Sequence, residues 1–228
     1  MATNTDRSGT MYDLSSILDV KGLESIRPGT SILVTGPAMA GKQSLVYDVL
    51  ADGVSKGQGA IIVSTGDRAE TVIEDFDARV STTGYSFGVV DCAADQSVAE
   101  SRPENRIFVH HVSSPGDLTG IGIGITEAME TLHDNGKDGG RLALSSLSTM
   151  LTYTDRKTVF KFCHVLSSRL EAADYLGLFT IDASAHDEQT LQVIKQAFDG
   201  MIEIREQDGS RQACVRGLTP EASEWIEL

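Results

Sequence analysis

The chain has few of the residues that mark extracellular, zinc-binding or membrane proteins. It contains three cysteines, Cys92, Cys163 and Cys214, which lie far apart without C-x-x-C pairing, so neither a disulfide framework nor a zinc site is predicted. It has no apolar run of about eighteen residues, which excludes an ordinary membrane-spanning helix. The polar start, MATNTDRSGTMYDLSS, also lacks the apolar segment of a secretory signal. We therefore expect a cytoplasmic protein with reduced thiols and no membrane partner.

Positive charge is also scarce. The 33 Asp and Glu residues outnumber 19 Lys and Arg, which gives a net charge of −14. An acidic surface repels nucleic acid unless a local basic groove exists, and no basic run occurs, so nucleic acid is not expected as a partner. Such acidity is typical of halophilic proteins, because high salt screens like charges. An acidic protein adapted to ordinary salt is the alternative.

Apolar runs alternate with helix-sized segments, which predicts βαβ units and a mostly parallel, doubly wound α/β sheet. We expect a flexible tail over residues 1–12 and a single domain over 13–228. Strands are predicted at 31–36, 59–65, 106–112, 141–147 and 176–184, and helices at 42–57, 69–80, 117–136 and 158–174. The polar segment 91–105 is predicted to be a surface loop, and 201–218 a hairpin that turns at Asp208-Gly209. The helix at 158–174 is expected to bury Val159, Phe162, Val165, Leu166 and Leu170.

The stretch SILVTGPAMAGKQSLVYDVL (31–50) has the layout of a phosphate-binding loop, G-x-x-x-x-G-K-[ST]. Glycines let backbone N–H groups converge on a phosphate, the following helix adds a partial positive charge, and Lys42 adds a full one. A strand–turn–helix whose glycines only turn the chain is the structural alternative. We predict that ATP or ADP binds through Gly36, Pro37, Ala38, Met39, Ala40, Gly41, Lys42, Gln43 and Ser44.

Gln43 stands where this loop normally has a magnesium-binding hydroxyl. Mg²⁺ takes hard oxygen ligands at about 2.1 Å in octahedral geometry, and the Gln43 carbonyl is carried on a longer side chain than a serine hydroxyl. Ser44 lies about 100° further round the helix, which places it better for the α-phosphate. The sequence therefore favours nucleotide binding without an ordinary Mg²⁺ site, and we assign no metal ligand.

The ordered motifs resemble those of the RecA superfamily, in the archaeal branch similar to KaiC-type and RadA-type ATPases. RPGTSILVTGPAMAGK is similar to that family's phosphate loop, AIIVSTGDRAETVIEDF to its second strand, RLALSSLSTML to its Walker B strand, and QACVRGLTP to its terminal K-x-R-G. The segment LGLFTIDASAHDEQTLQVIKQAFDG resembles haloarchaeal RecA-like proteins. The resemblance extends from about Asp13 to Leu218 and implies a RecA-like P-loop NTPase domain with a C-terminal antiparallel hairpin.

Residues at the family's catalytic positions differ here. Ser145 matches the metal-orienting Walker B aspartate, and a neutral hydroxyl cannot supply its charge. Gly66 and Asp67 match the carboxylate pair that activates the attacking water, so the resemblance implies that Asp67 alone could act as general base. The alternative is that Asp67 caps the helix that begins near Ala69.

The trans-acting K-x-R of the family matches Cys214-Val215-Arg216, which leaves an arginine without the lysine. The resemblance implies that Arg216 reaches the nucleotide of a neighbouring subunit, and a solvated strand charge is the alternative. Phosphoryl transfer depends on placed charge, so the loss of the Walker B carboxylate and the loop hydroxyl would each lower the rate by roughly 10².

Three further segments contain residues that occur in functional sites. GIGIGI (120–125) resembles a glycine-rich loop, but no strand leads directly into it, so we interpret it as a helix-packing surface. His110 and His111 are adjacent on a predicted strand and should point to opposite faces, which favours structural roles over metal binding. The strand ending near 182 delivers four polar residues to the sheet edge where ligands bind: Asp182, Ser184, His186 and Asp187. His186 and Asp187 could form a sensor pair near a γ-phosphate, and a loop-capping role is the alternative.

Three functions follow from these observations. The first is a degenerate nucleotide-binding module that regulates contacts with protein partners or with copies of itself. The second is a slow ATPase of the KaiC/RadA type that works in an oligomer, and the third is an interaction domain that binds no nucleotide. Lys42 favours the first two, because a buried lysine without an anion is costly. Gln43 and Ser145 favour the first over the second.

Overall fold

Helices cover both faces of one mostly parallel sheet in the part of the chain that the computed structural model describes, residues 11–93, 99–102, 107–137 and 139–228. The strands are β1 (Ser31–Gly36), β2 (Gly59–Ser64), β3 (Phe87–Asp91), β4 (Ala99–Arg102), β5 (Ile107–His111), β6 (Gly140–Ser145), β7 (Leu176–Asp182), β8 (Gly200–Gln207), β9 (Ser210–Arg216) and β10 (Ile226–Glu227). The helices are α1 (Lys42–Ser55), α2 (Ala69–Asp77), α3 (Leu118–Asp134), α4 (Leu147–Tyr153), α5 (Arg156–Ala172) and α6 (Glu188–Lys195).

The strand order is β10-β9-β8-β1-β7-β6-β2-β3-β5-β4. Neighbouring strands from β8 through β5 run parallel, whereas β4 at one edge and β9 and β10 at the other are antiparallel. The predicted α/β class and the terminal hairpin are both confirmed. Because parallel strands share a carboxyl edge, the segments that follow β1, β7, β6 and β2 leave the sheet at the same edge, where open α/β sheets bind ligands.

Successive residues of β1 pack into two different cores. Ile32 and Val34 lie in the core beneath α1 and α2, whereas Leu33 lies in the core beneath the other four helices. Because both faces of the sheet are covered, the central strands are continuous apolar runs rather than alternating ones. Within α5, Cys163 is buried, but Val165 is 58% exposed, so the prediction that Val165 faces the core was wrong.

Several predicted element boundaries need correction. The strand predicted at 141–147 ends at Ser145, because Ser146 accepts from the Ser148 N–H at 3.1 Å and thereby caps α4. The loop predicted at 91–105 includes the edge strand β4, which pairs with β5; residues 94–98 and 103–106 lie outside the described residues. The strand β3 was not predicted, and β7 ends at Asp182 rather than 184.

The N-terminal tail was predicted to extend to residue 12, and most of it lies outside the described residues. Tyr12 itself is only 3% exposed, and its hydroxyl donates to the Asp174 carbonyl at 2.6 Å. It also forms a bridge with Ile26. The packed part of the chain therefore includes Tyr12.

The remaining predictions about GIGIGI and the cysteines can be checked directly. GIGIGI lies within α3, and a Cβ at Gly124 would come within 2.7 Å of the His110 ring, which confirms a packing surface. All three cysteines are buried and unpaired. Within the described ranges, no helix combines the length and apolar character needed to cross a membrane.

Candidate functional site

The loop from Gly36 to Lys42, called the cradle below, has the backbone conformation of an anion-binding loop. A Cβ at Gly36 would lie 2.5 Å from the Ile204 carbonyl oxygen on β8, so β1 can leave the sheet here only with glycine. Gly41 has φ = +88° and forms the N-cap of α1, a conformation that favours glycine. Met39 has φ = +59°, and its side chain is 95% exposed at the tip of the loop.

The first turn of α1 faces this loop with unsatisfied donors. The first helical hydrogen bond of α1 runs from the Leu45 N–H to the Gly41 carbonyl at 3.0 Å. The N–H groups of Lys42, Gln43 and Ser44 precede that bond and therefore belong to the orphan donors of a helix start. Together with the helix dipole, these donors favour an anion at the loop.

The Lys42 ammonium lies inside the curve of the loop. Its Nζ donates to the Gly36 carbonyl at 3.0 Å and to the Pro37 carbonyl. Burial lowers the pKa of Lys42, and the Asp182 carboxylate opposes this shift. The ammonium is thus satisfied by two loop carbonyls, and a bound phosphate would compete with them for this charge.

Asp182 lies beside Gly36, because the two residues are partners in the register of β7 and β1. Burial acts to raise the pKa of Asp182, but the hydrogen bonds from Ser184 and the charge of Lys42 outweigh it and leave the pKa below its usual value. The Asp182 carboxylate is therefore anionic and caps the short 3-10 turn at 183–185. It also supplies negative charge close to the loop lysine.

Gln43 and Asp67, predicted from separate motifs, meet at the same edge of the sheet. The Gln43 amide Nε2 donates to Asp67 Oδ2 and to the Tyr47 hydroxyl, both at 3.2 Å. Asp67 does not cap α2, because the Ala69 N–H donates to Asp91 Oδ2 at 3.0 Å instead, so that alternative was wrong. The Asp67 carboxylate is exposed beside the cradle.

Asp91, which was predicted to lie in a surface loop, accepts hydrogen bonds from two segments at this edge of the sheet. It is 1% exposed at the end of β3. Its Oδ2 accepts from the Ala69 N–H and lies 3.2 Å from His111 Nδ1, and its Oδ1 accepts from the Ala93 N–H at 2.8 Å. Asp91 thereby anchors the start of α2 and the segment that carries Asp67.

Replacing Asp91 with alanine is expected to lower the free energy of unfolding by about 2–3 kcal/mol, because the buried Ala69 N–H at the start of α2 and the part-buried Ala93 N–H both lose their acceptor. Urea denaturation at constant salt measures this change. Asp75→Ala removes an exposed carboxylate from α2, the helix whose start Asp91 holds, and serves as the control. Equal effects of the two substitutions would show that Asp91 acts only through its charge.

Ser145 lies at the end of β6, where the resemblance placed a degenerate Walker B position. Its carbonyl accepts from the Thr65 N–H at 2.7 Å and from the Thr65 hydroxyl at 3.0 Å, while the Ser146 N–H donates to the Thr65 hydroxyl at 2.6 Å. The peptide bond between Ser145 and Ser146 is cis. Thr65, which sequence reasoning missed, therefore joins the end of β2 to the end of β6. The Ser145 side chain itself offers only a neutral hydroxyl at this position.

The residues predicted beyond β7 divide into a capping group and a contact with α4. Asp187 accepts from the Thr190 N–H at 2.6 Å and caps α6, which confirms the capping alternative for this residue. His186 Nε2 lies 2.9 Å from the Ser148 hydroxyl, which also accepts from the Asp182 N–H at 2.9 Å. His186 and Ser148 thus link α4 to the end of β7 beside the cradle.

The two histidines of β5 point to opposite sides, as predicted. His110 Nδ1 lies 2.9 Å from Glu127 on α3, whereas His111 Nδ1 lies 3.2 Å from Asp91. Among the residues that the structure describes, no cluster of three or more His, Cys, Asp or Glu side chains is arranged to hold a metal ion. The histidines therefore support packing and capping.

Arg216 lies far from the cradle of its own chain. It pairs with Met201, which precedes Ile204, the residue beside Gly36, by three positions or about 10 Å. Its guanidinium is exposed and lies 3.3 Å from Glu203. The predicted role of Arg216 in a neighbouring subunit stays a prediction.

Arg211, at the other end of β9, is the arginine that the fold brings to the loop. Its Cδ and Cζ lie 3.3 and 3.4 Å from the point where a Cβ of Gly41 would stand. Sequence reasoning missed it because the motifs do not reveal the register of β9 against β8 and β1. The only signal in the sequence is its alternation with Ala213 and Val215, which predicts a shared face.

Comparisons with known proteins place the chain by fold and by family. A KaiC-like protein from the hyperthermophilic archaeon Pyrococcus horikoshii OT3 superimposes with a TM-score of 0.60 over 96% of this chain and 91% of its own, at 11% identity. The fold is therefore of the RecA/KaiC type. No curated protein matches the sequence. The model of a family of unknown function, DUF7504, matches residues 29–204, and the chain belongs to that family.

Proposed function

We propose that the chain is a nucleotide-binding module that holds ATP or ADP in the loop from Gly36 to Ser44 and hydrolyses it slowly or not at all. The observation that carries this proposal is the convergence of Lys42 with the unsatisfied N–H groups of the first turn of α1. An ammonium and several backbone donors directed to one space recognise a phosphate chain. The RecA/KaiC-type fold supports this reading of the loop.

The residues present do not fit an ordinary Mg²⁺ site. Ser145 offers a neutral hydroxyl where a carboxylate would hold the ion, and Gln43, which replaces the loop hydroxyl, is oriented by hydrogen bonds from its Nε2 to Asp67 and Tyr47. Mg²⁺ requires near-ideal octahedral oxygen geometry, usually with one or two carboxylates. We therefore assign no metal ligand and derive no catalytic step that depends on one.

Weak hydrolysis follows from the same substitutions. Phosphoryl transfer needs positioned charge at the transferring group, and each missing electrostatic contact lowers the rate by roughly 10². Asp67 retains a carboxylate at the sheet edge, but Gln43 Nε2 occupies one of its oxygens. Two such losses reduce turnover by roughly 10⁴ compared with a complete site.

In a protein that hydrolyses ATP slowly or not at all, nucleotide binding rather than turnover would carry the function. A phosphate in the cradle would draw the Lys42 ammonium away from the carbonyls of Gly36 and Pro37, and the loop tip at Met39 would respond. We propose that occupancy of this loop regulates contacts with protein partners or with other copies of the chain. A ligand shifts such contacts only by its differential affinity for the two states.

A slow ATPase that works in an oligomer is the second candidate, and the position of Asp67 favours it. Asp67 lies on the segment after β2, and its carboxylate is exposed within 3.2 Å of Gln43, the second residue of α1. A carboxylate there is within reach of a water beside a bound phosphate. Arg216 would then act across a subunit boundary.

Phosphate release measured beside calorimetric ATP binding separates the two candidates. For the module, we expect saturable ATP binding in molar KCl with phosphate release close to the buffer blank and unchanged in Asp67→Asn. For the ATPase, release would exceed the blank and fall by about 10² or more in Asp67→Asn, because a general base contributes about that factor. Absence of ATP and ADP binding in the folded protein would overturn the proposed function.

A further inference from the structure

Arg211 reaches the cradle from the hairpin at the edge of the sheet. It lies on the same face of β9 as Ala213 and Val215, whose side chains belong to the core beneath α1. Its carbonyl accepts from the Leu228 N–H at 2.9 Å, which ties this part of β9 to the chain end. The guanidinium lies against Gly41, where Nη1 occupies the space that a Cβ would need. Glycine at position 41 is favoured by its positive φ, and the missing Cβ lets the guanidinium lie directly against the start of α1.

The other arginines of the hairpin have side-chain partners, whereas Arg211 has none within the described part of the chain. Arg205 donates to Gln212 Oε1 at 2.9 and 2.8 Å and lies over the Trp225 ring at 3.9 Å. Arg216 is paired with Glu203. Among the described residues, Arg211 forms no ion pair, although the chain carries a net charge of −14. An unpaired guanidinium at the start of α1 is therefore available to an anion.

We propose that Arg211 is a second phosphate-binding cation, which contacts the phosphate chain of a nucleotide bound to its own subunit. This inference rests on the proposed function and deepens it, because it assigns the ligand class as a nucleoside di- or triphosphate taken up without a divalent ion. A guanidinium presents a planar fork of donors that binds two phosphate oxygens at once. It supplies positive charge in a site whose residues do not fit Mg²⁺.

The substitution Arg211→Gln tests this role by calorimetry in excess EDTA and molar KCl. We expect ATP and ADP to bind about 10- to 100-fold more weakly, the range for loss of a charge-assisted hydrogen bond. Arg205→Gln is the matched control, because it removes the same charge from the neighbouring strand and should leave affinity unchanged. Arg211→Lys keeps the charge without the fork, and we expect an intermediate affinity.

The outcomes distinguish this inference from the proposed function. Unchanged ATP affinity in folded Arg211→Gln, with binding still lost in Lys42→Ala, would overturn the role of Arg211 and leave the nucleotide site in place. Equal weakening in Arg205→Gln would also overturn it, because the effect would then report net charge alone. Failure of the unmodified protein to bind ATP or ADP would instead overturn the proposed function. Thermal unfolding of each variant verifies that it is folded.

Discussion

Replacing Lys42 with alanine is expected to abolish measurable ATP binding, with a loss of about 100-fold or more in affinity. Lys42 is half-buried within the loop, and its Nζ is held at the Gly36 carbonyl, where it faces the same space as the first N–H groups of α1. Removing it takes away the one full charge at the centre of the cradle, and charge-assisted contacts to phosphate are roughly twice as strong as neutral ones. Isothermal calorimetry with ATP in molar KCl measures the change.

The control for this prediction is Lys161→Ala, which removes an exposed lysine of α5 outside the cradle. It changes the net charge by the same amount as Lys42→Ala. A loss of affinity in Lys42→Ala alone would therefore depend on where the charge lies and not on the net charge. ATP affinity that survives in Lys42→Ala would mean that the nucleotide binds elsewhere or is held by the backbone alone. Either result would remove the main support for the proposed site.

Replacing Arg141 with methionine is expected to lower the free energy of unfolding by about 3–5 kcal/mol, the range for breaking a buried ion pair by removing one partner. Arg141 is fully buried on β6, and its Nη1 lies 2.9 Å from Asp52 and donates to the Val49 carbonyl. Its Nε donates to Gln58 at 2.8 Å. Burial lowers the pKa of Arg141, and Asp52 opposes that shift.

Methionine fills much of the volume but leaves the Asp52 carboxylate and the Val49 carbonyl without this donor. Urea denaturation at fixed salt measures the change, and Arg27→Met provides a control with an exposed arginine. We expect the unfolding midpoint of Arg27→Met to stay close to that of the unmodified protein. A loss below about 1 kcal/mol in Arg141→Met would show that Asp52 finds solvent or another donor, and that the ion pair is not structural.

Local motifs were sufficient to predict the cradle but not its surroundings. The loop from Gly36 to Lys42 is contiguous, and its conformation depends on its own glycines and on the helix that follows, so the sequence alone indicates it. Gly88 interrupts the apolar residues of β3, so the sequence pattern did not identify this strand, and Asp91 was assigned to a loop. Consequently, Asp91 was not considered as the acceptor at the start of α2, and Asp67 was offered as the alternative cap.

Contacts that depend on strand register were beyond sequence reasoning. Gln43 meets Asp67, and Arg211 meets Gly41, across segments that lie far apart in the chain. Such contacts follow from which strands are neighbours and how they are aligned, and no single segment encodes either property. The separation of Arg216 from the cradle of its own chain has the same origin, because it depends on the alignment of β9 with β8.

The ratio of the ATP dissociation constants in excess Mg²⁺ and in excess EDTA tests most directly whether the chain has kept a phosphate cradle without a metal site. We predict that the two constants agree within about threefold, since Ser145 has no carboxylate to hold the ion and Gln43 replaces the hydroxyl that would bind it directly after Lys42. Tightening by about tenfold or more in Mg²⁺, equivalent to about 1.4 kcal/mol, would contradict this prediction and would show that the protein holds a divalent ion beside its nucleotide.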